Sequence, residues 1–124
     1  MYAHAALTQR IIGLAIEVHR ELGPGLLESV YKACLCHELR RAGFGFAAEV
    51  PMPIRYKDTT IELGFRADIV VERAVIVEAK AVGSLAAGHE ARVLTYLRAS
   101  GLSVGLPMNF QAARLKDGLR RFVA

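Results

Sequence analysis

Apolar residues recur at Leu7, Ile11, Leu14, Ala15 and Val18, a spacing that predicts an amphipathic helix from His4 to about Leu22. Gly23-Pro24-Gly25 closes it, because proline cannot continue a helix and the glycines permit a sharp turn. Leu27, Val30, Tyr31, Cys34, Leu35 and Leu39 form the apolar face of a second helix, from about Leu26 to Ala42, which stops at Gly43. The period then shortens to that of strands. Phe44 to Glu49 reads as one, with Pro51 and Pro53 implying a bulge or a sheet edge. Ile54 to Lys57 and Ile61 to Leu63 alternate around a turn at Asp58-Thr59-Thr60. Phe65 to Val71 and Val75 to Lys80 are short, apolar and rich in β-branched residues, which predicts two buried strands. Ser84 is placed to cap a third helix, from about Leu85 to Ser100, and Gly101 ends it. Leu102 to Leu106 then forms a short strand, parallel to a central one because a helix separates them. The tail from Gln111 predicts a final strand pair with a basic outer edge.

The chemistry gathers on the two buried strands. With Glu72-Arg73-Ala74 as the turn, Val71 faces Val75 and Asp68 falls opposite Glu78. Side chains alternate along a strand, so Glu78 and Lys80 share a face. Opposed carboxylates repel, and burying them unpaired costs still more. Something cationic must therefore lie between them. Two candidates stand: Lys80, as a plain salt bridge to either acid, or a divalent cation, for which hard oxygen donors favour Mg²⁺ or Mn²⁺.

Glu28 lies in the first turn of the second helix, where the helix dipole alone accounts for an acid. The sharper reading makes it a third acid of the site, with Tyr31 one turn on beside it. On the third helix His89, Arg92, Val93, Tyr96 and Leu97 occupy one broad stripe. A lone helical histidine is commonly structural, but His89 closely follows the strand that carries an acid and a lysine.

At 124 residues the chain suffices for one domain, 1–124, with one core. A hydrophobic share of 53% against 23% charged residues excludes a disordered chain. No targeting segment is visible, and the apolar run from Ile11 to Ile16 stops at Glu17, so no membrane span is expected and a cytoplasmic location follows. Cys34 and Cys36 are two apart on a helix and point apart, which suits ordinary thiols rather than a disulfide or a zinc site. The net charge is +4, and the remaining surface is more basic still once Glu28, Asp68 and Glu78 are set aside as neutralised by metal. A basic surface beside an acidic pocket suits a polyanionic substrate. No phosphate-binding glycine loop and no Gly-x-Ser-x-Gly elbow is present.

The order helix with Glu28, strands bearing Asp68 and Glu78-x-Lys80, helix, strand resembles the core of the PD-(D/E)XK nuclease superfamily. Leu22-Gly23-Pro24-Gly25-Leu26-Leu27-Glu28-Ser29-Val30-Tyr31 resembles the signature of the GxxExxY protein family. Gly64 to Asp68, Val77 to Lys80, His89, Thr95-Tyr96-Leu97, Gly101 to Leu106 and Asn109-Phe110 fit it too, so the resemblance runs from about Ile12 to Val123. It implies an α/β (α+β) restriction-endonuclease-like fold, ordered α-β-β-β-α-β, with helices flanking a mixed sheet. It also implies metal-dependent hydrolysis of DNA or RNA phosphodiester bonds. In that reading Asp68, Glu78, the Ala79 carbonyl and Glu28 bind Mg²⁺ or Mn²⁺. Lys80 positions the attacking water or steadies charge on phosphorus. His89, Arg92, Tyr96 and Tyr31 lie on the substrate side, and a homodimer spans two strands. Arg92 and Glu49 stand where relatives usually carry glutamine, and Pro107 replaces an aliphatic residue. Arg92 is thus placed either to bind a substrate phosphate or to pair with Glu78. The alternative function is a non-catalytic module on the same fold: a nucleic-acid-binding one, resting on Arg92 and on Arg114, Lys116, Arg120 and Arg121, or a protein-interaction one that keeps the acidic site only as a structural ion pair.

Overall fold

The computed structural model describes residues 4–62 and 64–124. Helices α1 (Ala5–Leu22) and α2 (Glu28–Arg41) come first, followed by β1 (Phe46–Pro51) and a small hairpin of β2 (Ile54–Tyr56) and β3 (Thr59–Ile61). Then come β4 (Arg66–Val71), β5 (Val75–Lys80), α3 (Ala87–Ser100) and β6 (Val104–Asn109). A 3₁₀ turn (Leu115–Gly118) and β7 (Phe122–Val123) complete the chain. The main sheet has the order β1-β4-β5-β6-β7. Its pairs are antiparallel except β5–β6, which is parallel across the α3 connection. The sequence thus specifies the nuclease-like order of elements, and the helices lie on the sheet's two faces.

Strand alternation divides the core in two. Ile69, Val71, Val75 and Val77 pack with Ile11, Ala15, Tyr31 and Leu35 of α1 and α2. Val70 and Ile76 pack on the opposite face with Val93, Tyr96 and Leu97 of α3. Strands buried on both faces read as continuous apolar runs, the pattern of Val75-Ile76-Val77.

Three expectations need correction. The β2–β3 hairpin forms its own two-stranded sheet, and β1 pairs directly with β4. Its turn is Lys57-Asp58, with Lys57 left-handed (φ 54°), so Thr59 and Thr60 belong to a strand. The expected strand end at Leu63 lies outside the described residues. Ser84 does not cap α3, which begins after Ala86, where His89 Nδ1 accepts the Ala86 N–H at 2.9 Å. The last full strand runs on to Asn109 through Pro107. Proline is tolerated there because its carbonyl, and so its N–H-less nitrogen, faces Arg120 on the β7 side rather than the β5 ladder.

Pro51, which ends β1, and Pro53 just beyond it carry the meaning expected of them, since β1 is an edge strand. Its ladder passes from Ala48↔Ile69 to Val50↔Ala67 and skips Glu49, which is left-handed (φ 55°). In a regular strand Glu49 would lie beside Asp68 on the same face. The irregularity turns it toward α2, where it pairs with Lys32.

Helix α3 packs against the sheet at Gly105, where an added Cβ would collide with the Val93 side chain. Gly105→Ala should therefore lower stability by about 1–3 kcal/mol, the usual cost of overpacking, in urea unfolding. Adding Val93→Ala should recover part of that loss. An unchanged midpoint for Gly105→Ala would contradict the packing described.

A carboxylate fork at the β4–β5 divergence

The β4–β5 ladder is regular over Val71↔Val75, Val70↔Ile76 and Ile69↔Val77. One step further Asp68 and Glu78 stand opposite each other, and carboxylates replace the backbone partners. The Asp68 N–H donates to Glu78 Oε2 at 2.7 Å, and the Ala79 N–H donates to Asp68 Oδ2 at 2.8 Å. Meanwhile β4 stays paired with β1 to Arg66, and β5 with β6 to Lys80. The two central strands therefore fork, and the acids occupy the fork.

Glu78 is 3% exposed and Asp68 is half-buried. Burial first, and the Asp68 charge second, push the Glu78 carboxyl up to about 8, while the Asp68 N–H and the Lys80 ammonium pull it down. The acids' oxygens are thus held by backbone N–H groups, not by the simple Lys80 salt bridge. Tyr96 of α3 borders the fork from one side. Burial and then Glu78 raise its hydroxyl, and Arg92 partly offsets them.

Glu28 enters from the opposite layer, around the end of β5, where its Oε2 accepts the Ala81 N–H at 3.1 Å. It is the first residue of α2, so the turn before it decides its position. Tyr31 holds that turn: its hydroxyl donates to the Gly23 carbonyl at 2.6 Å and accepts the Leu26 N–H at 3.1 Å, while its ring stacks on Phe110 at 4.6 Å. Tyr31 is fully buried, so it supports Glu28 instead of facing a substrate.

Asn109 and Gln111 do related work that the sequence reading did not assign. Asn109 is buried, donates to the Val82 carbonyl at 2.9 Å and accepts the Val82 N–H at 3.1 Å, fixing the loop after Lys80. Gln111 accepts the Gly25 N–H at 3.1 Å. An asparagine at the end of an apolar strand was the available signal. His89 caps its own helix, and the Arg92 guanidinium lies 6.0 Å over the Phe65 ring rather than reaching Glu78 as a salt bridge. Phe65, just ahead of β4, was not singled out either.

Among the described residues no three acidic, histidine or cysteine side chains gather into a metal centre. The Asp68–Glu78 pair nevertheless has the donor set that suits a hard divalent cation, two carboxyl groups side by side, and a cation there would offset the burial and the Asp68 charge that raise the Glu78 carboxyl. A cavity of about 640 Å³ lies at the other end of the sheet, among Gly45, Phe46, Val70, Glu72 and Leu102, and holds none of these groups.

The raised Glu78 carboxyl has a consequence for stability. Its value in the unfolded chain is 4.5, so between that pH and about 8 the folded state keeps a proton that the unfolded state has lost. Without metal, this group's contribution should be greatest below pH 4.5, fall as pH rises, and be gone above about pH 8. Thermal melts of the parent and of Glu78→Gln in EDTA should diverge with rising pH, the variant gaining on the parent. Parallel curves would contradict the raised value.

No membrane-crossing helix occurs among the described residues. No curated protein and no solved structure matches the chain significantly. A family model described as PD-(D/E)XK nuclease superfamily matches residues 5–122, which takes in both central strands, the fork and all three helices. The chain therefore belongs to the PD-(D/E)XK nuclease superfamily.

Proposed function

We propose that the protein is a metal-dependent nuclease of one domain, hydrolysing phosphodiester bonds of DNA or RNA in the cytoplasm. The observation that carries this reading is the fork, where Asp68 and Glu78 are held together beside Lys80. Asp68 and Glu78 would hold Mg²⁺ or Mn²⁺, with the Ala79 carbonyl as a further oxygen donor; Glu28 does not gather with the two acids and acts from the rim. When bound, such an ion lowers the pKa of its water and offsets phosphate charge. Lys80 follows Glu78 on the same face, where its ammonium orients the water or balances charge on phosphorus. Glu28, fixed through Ala81 and Tyr31, orders the loop beyond Lys80 and closes the site from the α2 side. His89, Arg92 and Tyr96 line the α3 side, toward the substrate. Gly25-x-x-Glu28-x-x-Tyr31 supports a GxxExxY-type member, since each of the three positions has a part in placing Glu28.

Glu78 must lose its proton for a cation to bind, so the affinity for Mg²⁺ or Mn²⁺ rises with pH through the range in which Glu78 titrates. A homodimer would let two such sites act on two strands.

One observation favours a second reading, a binding or interaction module without catalysis: both acids already have N–H partners. The basic tail supports it less, because Arg114 pairs with Asp117 and Arg120 with Glu90.

Linear, circular, single-stranded and branched nucleic acids, incubated with the protein in Mg²⁺ or Mn²⁺, test the proposal. Cleavage should fall to background in Asp68→Ala, Glu78→Ala and Lys80→Ala, while circular dichroism shows the fold retained. Retained cleavage in all three variants refutes the assigned site. Absence of cleavage together with no metal-induced rise in melting temperature favours the module.

A further inference from the structure

We propose that the protein grips unpaired nucleobases by stacking, on the exposed rings of Phe65 and Tyr56, next to the fork. This deepens the nuclease reading and rests on it for the identity of the polymer. The chain has five phenylalanines and four tyrosines. Among the described residues, only Tyr56 and Phe65 are exposed aromatic side chains, at 59% and 42%. Both lie in the segment that leaves β1 and returns into β4 just ahead of Asp68.

Each ring has its own cation. Lys57 Nζ lies 5.4 Å from the Tyr56 ring centre, and the Arg92 guanidinium 6.0 Å from that of Phe65. Similar contacts of Arg10 with Phe44 and of Arg40 with Phe46 involve half-buried rings at the far end of the sheet, where they serve packing. An exposed ring with a cation at its face is the arrangement that binds a base by stacking and its phosphate by charge.

The surroundings of Phe65 support that use. Ile54, Phe65, Gly88, Ala91, Arg92 and Tyr96 line a slot of about 270 Å³. This is at the lower end of small-molecule sites, about 300 Å³ upward, and suits one planar heterocycle. Tyr96 lines it from the core side, and Phe65 on its rim stands three residues ahead of Asp68, so the slot is joined to the fork through β4. The slot's edge is fixed, since the Phe65 carbonyl accepts the Met52 N–H at 2.8 Å. The hairpin that presents Tyr56 stands outside the main sheet, with Arg55, Tyr56 and Lys57 all exposed. Bases inside a duplex cannot offer a face to these rings, whereas those of single strands, flaps and branch points can.

Fluorescence anisotropy of labelled twelve-nucleotide oligo-dT and oligo-U, against a blunt duplex of equal length, tests this with the parent protein in EDTA. At least one unpaired strand should bind about tenfold or more tightly than the duplex. Phe65→Ala and Tyr56→Ala should each weaken that strand by roughly tenfold, the effect of removing one stacking platform. Phe65→Trp should retain the affinity. Phe65→Leu, which keeps an apolar side chain against α3 but has no π face, should behave like Phe65→Ala, with a parental melting temperature. Equal affinity for duplex and single strands, no binding to either, or parental affinity in folded Phe65→Leu overturns the inference. Because binding is read without metal, a protein that never cleaves can still pass. One that cleaves duplexes but shows no preference for single strands overturns this inference alone.

Discussion

Everything in the site depends on one substitution of partners: at the end of a regular β-ladder, two carboxylates take over the backbone's hydrogen bonds. The Asp68 N–H reaches Glu78, and the Ala79 N–H reaches Asp68. These bonds hold two carboxyl groups together at the divergence of two central strands. They also leave Glu78 buried beside its neighbour, which raises its carboxyl to about 8. The N–H contacts hold the pair together, while burial and the Asp68 charge make it demand a proton or a cation. Glu49 shows how closely that balance is kept. A regular β1 would bring a third carboxylate beside Asp68, and the skipped position turns it to Lys32 instead.

The fork is set by the sheet, but its rim is set by long-range polar contacts. Tyr31 closes the Gly-Pro-Gly turn, Gln111 holds Gly25, Asn109 holds Val82, and Glu28 holds Ala81. Together they bind the start of α2, the end of β5 and the end of β6 into one corner. A change in any of them would act on the acids by displacement, without touching a substrate.

Most of the architecture was legible because it is written in local periodicity. The Val71–Val75 turn, the Asp68–Glu78 opposition and the parallel β5–β6 pair all follow from strand length and alternation. The hairpin was less legible. Its alternation matches that of a sheet strand, and only the direct pairing of β1 with β4 sets it apart. Tyr31 was misread for a related reason: spacing places it one turn from Glu28 but says nothing of the Phe110 ring that covers it. Asn109 and Phe65 acquire their parts from contacts distant in sequence, with Val82 and Arg92. Periodicity carries no record of such contacts.

The central claim is that the fork is a cation site whose acid must first give up a proton. Calorimetric titration of Mn²⁺ at pH 7, in two buffers of different ionisation enthalpy, counts the protons released per ion bound. With Glu78 titrating at about 8, binding should release close to one proton, and Glu78→Gln should abolish that release. No binding, or binding with no proton released, would contradict the account.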